Sequence, residues 1–265
     1  MKRVWGHVLS GVTLSAGIAV ASGFVPACVH DDSSIFVSDV LAPQYVTQGM
    51  ACTFTADPTQ PVLGSGTMDA ALTAEYTAMF LVGNQLVPRG DPNQPQTETS
   101  FVTLQGAVVR IVDSNGNQLN TYTNRAAGTI PPSSGTTPGY LSVGATIIDS
   151  TTASTLGHGG VDRVVSYVRF FGQTLGGDSV ESNEFGFPVD VCRGCLVSFP
   201  VAEDDPSLDV QPNCALAGAT ASSSSTSVPC SPGQDLAIDC SACAEIPACN
   251  PKGTAVPIAD AGGGG

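Results

Sequence analysis

Apolar and polar positions alternate through the middle of this chain in steps of two. Cys52, Phe54 and Ala56 alternate with Thr53 and Thr55, the period of a strand with one buried face. Leu72, Ala74, Tyr76, Ala78, Phe80 and Val82 carry the same period over a longer run. Leu72, Tyr76, Met79 and Phe80 also fit helical spacing, but the alternation is sustained and Gly83-Asn84 closes it as a turn would, so a strand is expected. Ile35-Phe36-Val37 opens the β region, Gly144 to Ile148 and Arg163 to Phe171 read as further strands, and Glu184 to Val191 leads into Cys192.

The clearest local signal lies between Gly106 and Leu119, where two strand-like runs flank Asn115-Gly116. That dipeptide predicts a hairpin with a type I′ turn, because both central residues tolerate positive φ. Asp113, Asn115 and Asn117 also suggest calcium, but a calcium loop places glycine sixth and closes on a glutamate. Here Gly116 is fourth and no such glutamate follows, which leaves a plain hairpin. Thr129 to Gly139 reads as a loop and Gly176-Gly177 as a turn. Many short strands with few helical patterns predict an all-β fold, an immunoglobulin-like antiparallel β-sandwich over residues 33–200.

After Pro200 the pattern dissolves. Glu203-Asp204-Asp205-Pro206 is an acidic turn, and Ala221 to Ser227 is a Ser/Thr tract that cannot build a core. Residues 201–250 therefore read as a Cys-rich, disulfide-stapled, loop-rich C-terminal tail. Residues 251–265, ending in four glycines from Gly262, are expected to be disordered.

The N-terminus has a different pattern again. Lys2 and Arg3 precede an uncharged apolar run from Val8 to Val25, the order of an export signal over residues 1–27. Val25-Pro26-Ala27-Cys28 resembles a bacterial lipobox, with Pro26 a departure from the usual pattern. That resemblance makes Cys28 the lipidation site and 28–34 a lipidated cysteine with a polar tether. The five residues from His30 to Ser34 reach at most ~18 Å. A soluble secreted protein and an uncleaved anchor are the competing readings of the same segment. Known sorting rules retain lipoproteins that carry Asp directly after the lipidated Cys. This chain has Val29, which implies an exported outer membrane lipoprotein, with its periplasmic or surface face left open.

The ordered set Asp31-Asp32-Ser33-Ser34-Ile35-Phe36, Leu81-Val82-Gly83-Asn84-Gln85-Leu86, Phe171-Gly172-Gln173-Thr174-Leu175-Gly176-Gly177, Val180-Glu181-Ser182 and Cys192-Arg193-Gly194-Cys195-Leu196-Val197 resembles uncharacterised predicted lipoproteins of myxobacteria. The resemblance covers most of the mature chain. It brings no activity and no catalytic residue.

A formal net charge of −14 argues against nucleic acid as a partner, because phosphates demand Lys and Arg. It also argues against electrostatic docking on anionic lipid, so the acyl chain at Cys28 would hold the protein to its membrane. The expected partners are that membrane and an envelope protein or glycan. No cofactor is expected.

Of the nine cysteines, lipid at Cys28 leaves Cys52, Cys192, Cys195, Cys214, Cys230, Cys240, Cys243 and Cys249, an even set that suits disulfides in an exported protein. Cys192-x-x-Cys195 and Cys240-x-x-Cys243 admit two rivals. One is a four-thiolate zinc site built from those four residues. The other is a redox centre, which needs a stabilised thiolate. If all eight pair internally, Cys52 must join the segment from Cys192 to Cys249, and Cys192 is the expected partner because both lie on candidate strands.

His158, in Leu156-Gly157-His158-Gly159-Gly160, is the histidine that falls in the folded region. A hydrolase would use it as general base, yet no G-x-S-x-G elbow accompanies it. Glu181 and Glu184, three apart on a strand-turn stretch, are not expected to form a catalytic pair. The leading expectation is a non-catalytic envelope lipoprotein, a structural or partner-binding surface module. Zinc binding comes second and hydrolysis through His158 third.

Overall fold

A computed structural model describes residues 33–45, 52–90, 98–198, 229–243 and 246–249. The export segment, Cys28, the tether up to Asp32, Cys214, the acidic turn, the Ser/Thr tract and the glycine-rich end lie outside the described residues.

In chain order the strands begin with β1 (Ile35–Leu41), β2 (Gln44–Tyr45), β3 (Cys52–Thr53), β4 (Val62–Leu63), β5 (Gly66–Asp69) and β6 (Tyr76–Asn84). They continue with β7 (Val102–Asp113), β8 (Gln118–Asn124), β9 (Gly128–Ile130) and β10 (Gly139–Ile148). A short helix α1 (Ser150–Thr155) precedes β11 (Asp162–Thr174), β12 (Ser179–Glu181), β13 (Phe185–Cys192), β14 (Val197–Ser198) and β15 (Ile238–Asp239). One sheet runs β10-β6-β1-β4, and a larger one runs β5-β13-β11-β7-β8 with β12 on β11 and β9 on β7. The protein is all-β and sandwich-like. The sheets are antiparallel except where β5 joins β13 in parallel, and the small β14-β15 pair is parallel too.

Inward-facing residues explain why these strands pair in this register. Tyr76, Ala78, Phe80 and Val82 of β6 bury one face, as do Val164, Val168 and Phe170 of β11 and Phe187, Val189 and Val191 of β13. Along β7 the buried set is Val102 and Leu104, then Ala107, Val109 and Ile111. The step from even to odd positions would turn half the strand outward in a regular ladder. The register shifts there, with Phe171 opposite Gly106 and Gly172 opposite Leu104, so Gln105 is an extra residue and both halves face the core. β1 does the same between Val37 and Asp39.

The two faces meet through aromatic contacts. Phe80 packs edge-on against Phe170 at 5.4 Å between centroids and against Phe185 at 6.2 Å, while Tyr76 lies 6.4 Å from Phe187. Ser166 is fully buried, but its hydroxyl donates to Ile147 O across the core at 2.7 Å, which removes the cost of an unpaired polar group.

Several local expectations change. The long strand starts at Tyr76, because Asp69 O accepts from Leu72 N and Thr73 N and closes a turn ahead of it. Gly83 and Asn84 belong to β6 and do not form a turn. A side chain at Gly83 would collide with the ring of Phe36, so its role is packing. Only Gly116 takes positive φ in the β7–β8 turn (+84°), since Asn115 does not. Gly116 N donates to Asp113 O, and Asp113 N donates to Asn117 O. That is a type I turn closed by a glycine bulge, not the type I′ turn expected from Asn-Gly. The Asp113 carboxylate accepts from Asn115 N, Asn117 N and the Asn117 amide, so it caps the hairpin. Glu184 pairs with Arg110 and Glu181 with Arg169, two separate surface contacts.

Candidate functional site

Parallel pairing of β5 with β13 sets Asp69 opposite Cys192. Asp69 is fully buried, and among the described residues its carboxylate accepts from backbone N–H groups around it: Oδ1 from Ala71 at 3.0 Å and Gly194 at 2.8 Å, and Oδ2 from Leu196 at 2.9 Å. Two of those donors belong to the Cys192–Cys195 turn or the residue following it. Such charge-assisted bonds offset the cost of burying the group. Gly194 takes φ +81° in that turn, a conformation that favours glycine.

Arg193 braces the turn from the other side. Its guanidinium donates to Leu156 O at 3.2 Å, Ala153 O at 3.3 Å, Ser154 O at 3.4 Å and Ala70 O at 3.4 Å. Three of these carbonyls lie at the C-terminal end of α1, where unpaired carbonyls and the helix dipole attract a cation. The helix starts at Asp149, whose side chain accepts from Thr151 N.

Cys192 is 3 % exposed and disulfide-bonded to the exposed Cys195. The two sulfurs and an Asp69 carboxylate oxygen all lie within 4.8 Å of one another. Cys192 and Cys195 line a cleft with Gly157, His158, Gly160 and Val161, while Asp69 is fully buried. His158 is exposed, and its Nε2 meets Ser154 O at 2.8 Å. That partner is a backbone carbonyl rather than a hydroxyl or carboxylate, so the buried catalytic pocket sought for a hydrolase is not built around His158 among the described residues.

The remaining cysteines gather the tail. Cys52 is bonded to Cys230 and Cys243 to Cys249, and Cys240 is disulfide-bonded as well. Cys52 does join the C-terminal segment, but through Cys230; the expected Cys52–Cys192 pairing is wrong because Cys192 is held beside Asp69 and closes on Cys195. The four sulfurs of the zinc alternative, on Cys192, Cys195, Cys240 and Cys243, are all in disulfides here, and a disulfide sulfur is no thiolate ligand.

Polar contacts dock the tail beside these bonds. Asp235 N donates to Thr67 O and Thr67 N donates to Asp235 Oδ1, both at 2.9 Å. The buried Tyr76 hydroxyl donates to the same carboxylate at 2.8 and 2.9 Å. Asp235 holds φ +61° to do this. Burial pushes its pKa up, against bonds from Thr67 and Tyr76 that favour the charged form. Burial and the adjacent carboxylate likewise raise the Tyr76 phenol. Neither Asp69 nor Asp235 is marked out by the sequence reading; the one available signal was a lone acid inside an otherwise uncharged run, Thr67-Met68-Asp69-Ala70-Ala71-Leu72.

No family model matches the chain. No curated protein matches it. Among solved structures, the X-ray structure of Northeast Structural Genomics Consortium target SoR45 is similar at 12 % identity, over 63 % of this chain and 92 % of that one, with a TM-score of 0.28. A likeness of that size carries no argument about fold or function.

Proposed function

We propose that this chain is a non-catalytic lipoprotein of the cell envelope, exported and held at the outer membrane by lipid on Cys28, with an immunoglobulin-like sandwich as a structural or partner-binding module. The observation that carries the proposal is strand order. With β1, β6, β7, β8, β10, β11 and β13 taken as A, B, C, C′, E, F and G, one sheet reads E-B-A with β4 added beyond A, and the other G-F-C-C′ with β5 added beyond G. That is the order of immunoglobulin-like sandwiches, whose end loops and edge strands serve recognition on many unrelated surfaces.

Strand β8 ends its sheet and exposes Leu119, Thr121 and Thr123. An edge of this kind accepts an extended segment of a protein partner. The disulfides are compatible with an oxidising, exported location, and no described helix is long and apolar enough to cross a membrane. The test is the intact mass of protein purified from its native membrane, beside a Cys28→Ser variant. Acylation at Cys28, with the variant released to the soluble fraction, is the expected result. An unacylated chain that stays with the membrane would overturn the anchor.

A further inference from the structure

Two classes of disulfide coexist in this protein. The bonds at Cys230 and Cys249 tie down a segment with little core of its own. The Cys192–Cys195 bond ties down nothing that is not already held. Asp69 binds Gly194 N and Leu196 N, and Arg193 reaches four carbonyls, so the turn keeps its path with the sulfur bridge open. The reduced state is also provided for, because Met68 O lies 3.3 Å from Cys192 Sγ, placed to accept from a thiol.

We infer that Cys192–Cys195 is an exchangeable disulfide that oxidises a pair of thiols on an exported polypeptide. Only Cys195 is exposed, so only its sulfur can be attacked. The approach runs through a cleft lined by Gly157, Gly160 and Gly194 together with His158, Val161 and Arg193, and the three glycines add no side-chain bulk to the path of an incoming strand or loop.

A thiolate of the polypeptide attacks Cys195 Sγ. A mixed disulfide forms, the Cys192–Cys195 bond breaks, and its electron pair moves to Cys192 Sγ. Cys192 Sγ takes a proton from water in the cleft as the bond breaks and turns its S–H to Met68 O, so no free thiolate has to persist at this buried position. The polypeptide's second thiolate then attacks its own sulfur in the mixed disulfide and expels Cys195, which is protonated in turn. The polypeptide loses two electrons and two protons, and the Cys192–Cys195 pair gains both. This inference concerns one corner of the molecule; it rests on the exported location in the proposed function and not on the surface-module role.

The test uses the full oxidised chain in graded glutathione buffers, with free thiols alkylated and mapped by mass. The peptide carrying Cys192 and Cys195 is expected to gain two alkyl groups at a poise where Cys52–Cys230 and Cys243–Cys249 remain closed. A reduced synthetic peptide with two cysteines supplies the second readout. A Cys192→Ser chain, its Cys195 first activated as a mixed disulfide with a small aromatic thiol, is expected to exchange onto the peptide at least tenfold faster than a Cys195→Ser chain activated at Cys192. The double Cys192→Ser, Cys195→Ser variant is expected to melt as the parent does, which separates exchange from misfolding. Reduction of this bond together with or after the other two, equal exchange at both cysteines, or a large loss of stability in the double variant would each make it a structural staple and overturn the inference.

Discussion

The sandwich buries Phe80, Phe170, Phe187, Ile35, Ile111 and Ile147 to within 1 % of full enclosure, together with twenty other apolar residues. The described tail residues bury Ile238, Cys240, Cys243 and Cys249 and borrow Leu72 and Val197 from the sandwich side. At roughly 25 cal/mol per Å² of apolar area, the first set drives folding by burial, and the second cannot offset its own chain entropy. The tail is instead held by covalent bonds and by polar contacts in which Asp235 is central. One chain thus uses two remedies for the same entropic cost, chosen by how much apolar surface each region has. Breaking either remedy should damage its own region first.

The largest expected effect is in the sandwich. Phe170→Ala removes a ring that meets Phe80 at 5.4 Å from the opposite sheet and should cost about 3–5 kcal/mol by lost transfer energy and the cavity left behind. Denaturant unfolding followed by circular dichroism reads this directly. A loss below about 1 kcal/mol would mean that the two sheets do not share one packed core.

Opening the Cys52–Cys230 bond attacks the tail. Its ends are 178 residues apart, a span nominally worth ~5 kcal/mol of chain entropy, although measured values for such bonds run as low as ~2. A Cys52→Ser, Cys230→Ser variant should lose its tail to limited proteolysis while the sandwich core keeps its hydrogen-exchange protection. If both regions unfold together, the tail is part of the sandwich's cooperative unit and the division drawn between them is wrong.

How much of this was readable from sequence follows the same division. Strands whose inner face is a run of alternating large side chains, such as Tyr76 to Val82 and Arg163 to Phe171, were legible because burial on one side leaves a period of two. The bulge at Gln105 was not, since only the partner strand reveals that Val102 and Ala107 must face the same way. Disulfide pairing was legible as arithmetic, which required Cys52 to reach the C-terminal segment, but not as identity. Cys192 is placed by Asp69, more than a hundred residues away in sequence, through a parallel strand pair. Asp69 showed only as a lone acid in an uncharged run and Asp235 not at all, because both act by binding backbone groups of other segments.

A smaller effect is expected from the polar clip. Tyr76→Phe removes a hydroxyl that donates to Asp235 at 2.8 Å and should cost about 1–3 kcal/mol if the carboxylate is left short of a partner. The loss should show as faster proteolysis near residue 235, with the midpoint of sandwich unfolding little changed. A shift of the sandwich midpoint with no change in tail cleavage would place the role of Tyr76 in the aromatic core and not in docking.

The subtlest comparison is in acid, where the two regions should move in opposite directions. Burial raises the Glu98 pKa, but N–H groups of Gly90, Ser100 and Arg89 outweigh it and hold the carboxyl at about 2, below its ordinary 4.5. Its folded value is depressed, so its contribution is present above pH 4.5 and is lost as pH falls towards 2. Asp235 is raised above its ordinary 3.8. Its contribution is therefore complete below 3.8 and is lost as pH rises through the folded value. Lowering the pH from 7 should first stabilise the docked segment around Asp235, because protonation relieves the cost of its buried charge, and only later weaken the turn around Glu98. Hydrogen exchange at Thr67, Asp235, Arg89 and Ser100, corrected for intrinsic rates, resolves the two steps. Loss of protection at all four amides in one transition would show that the carboxylates titrate with global unfolding, and that the docked tail has no acid response of its own.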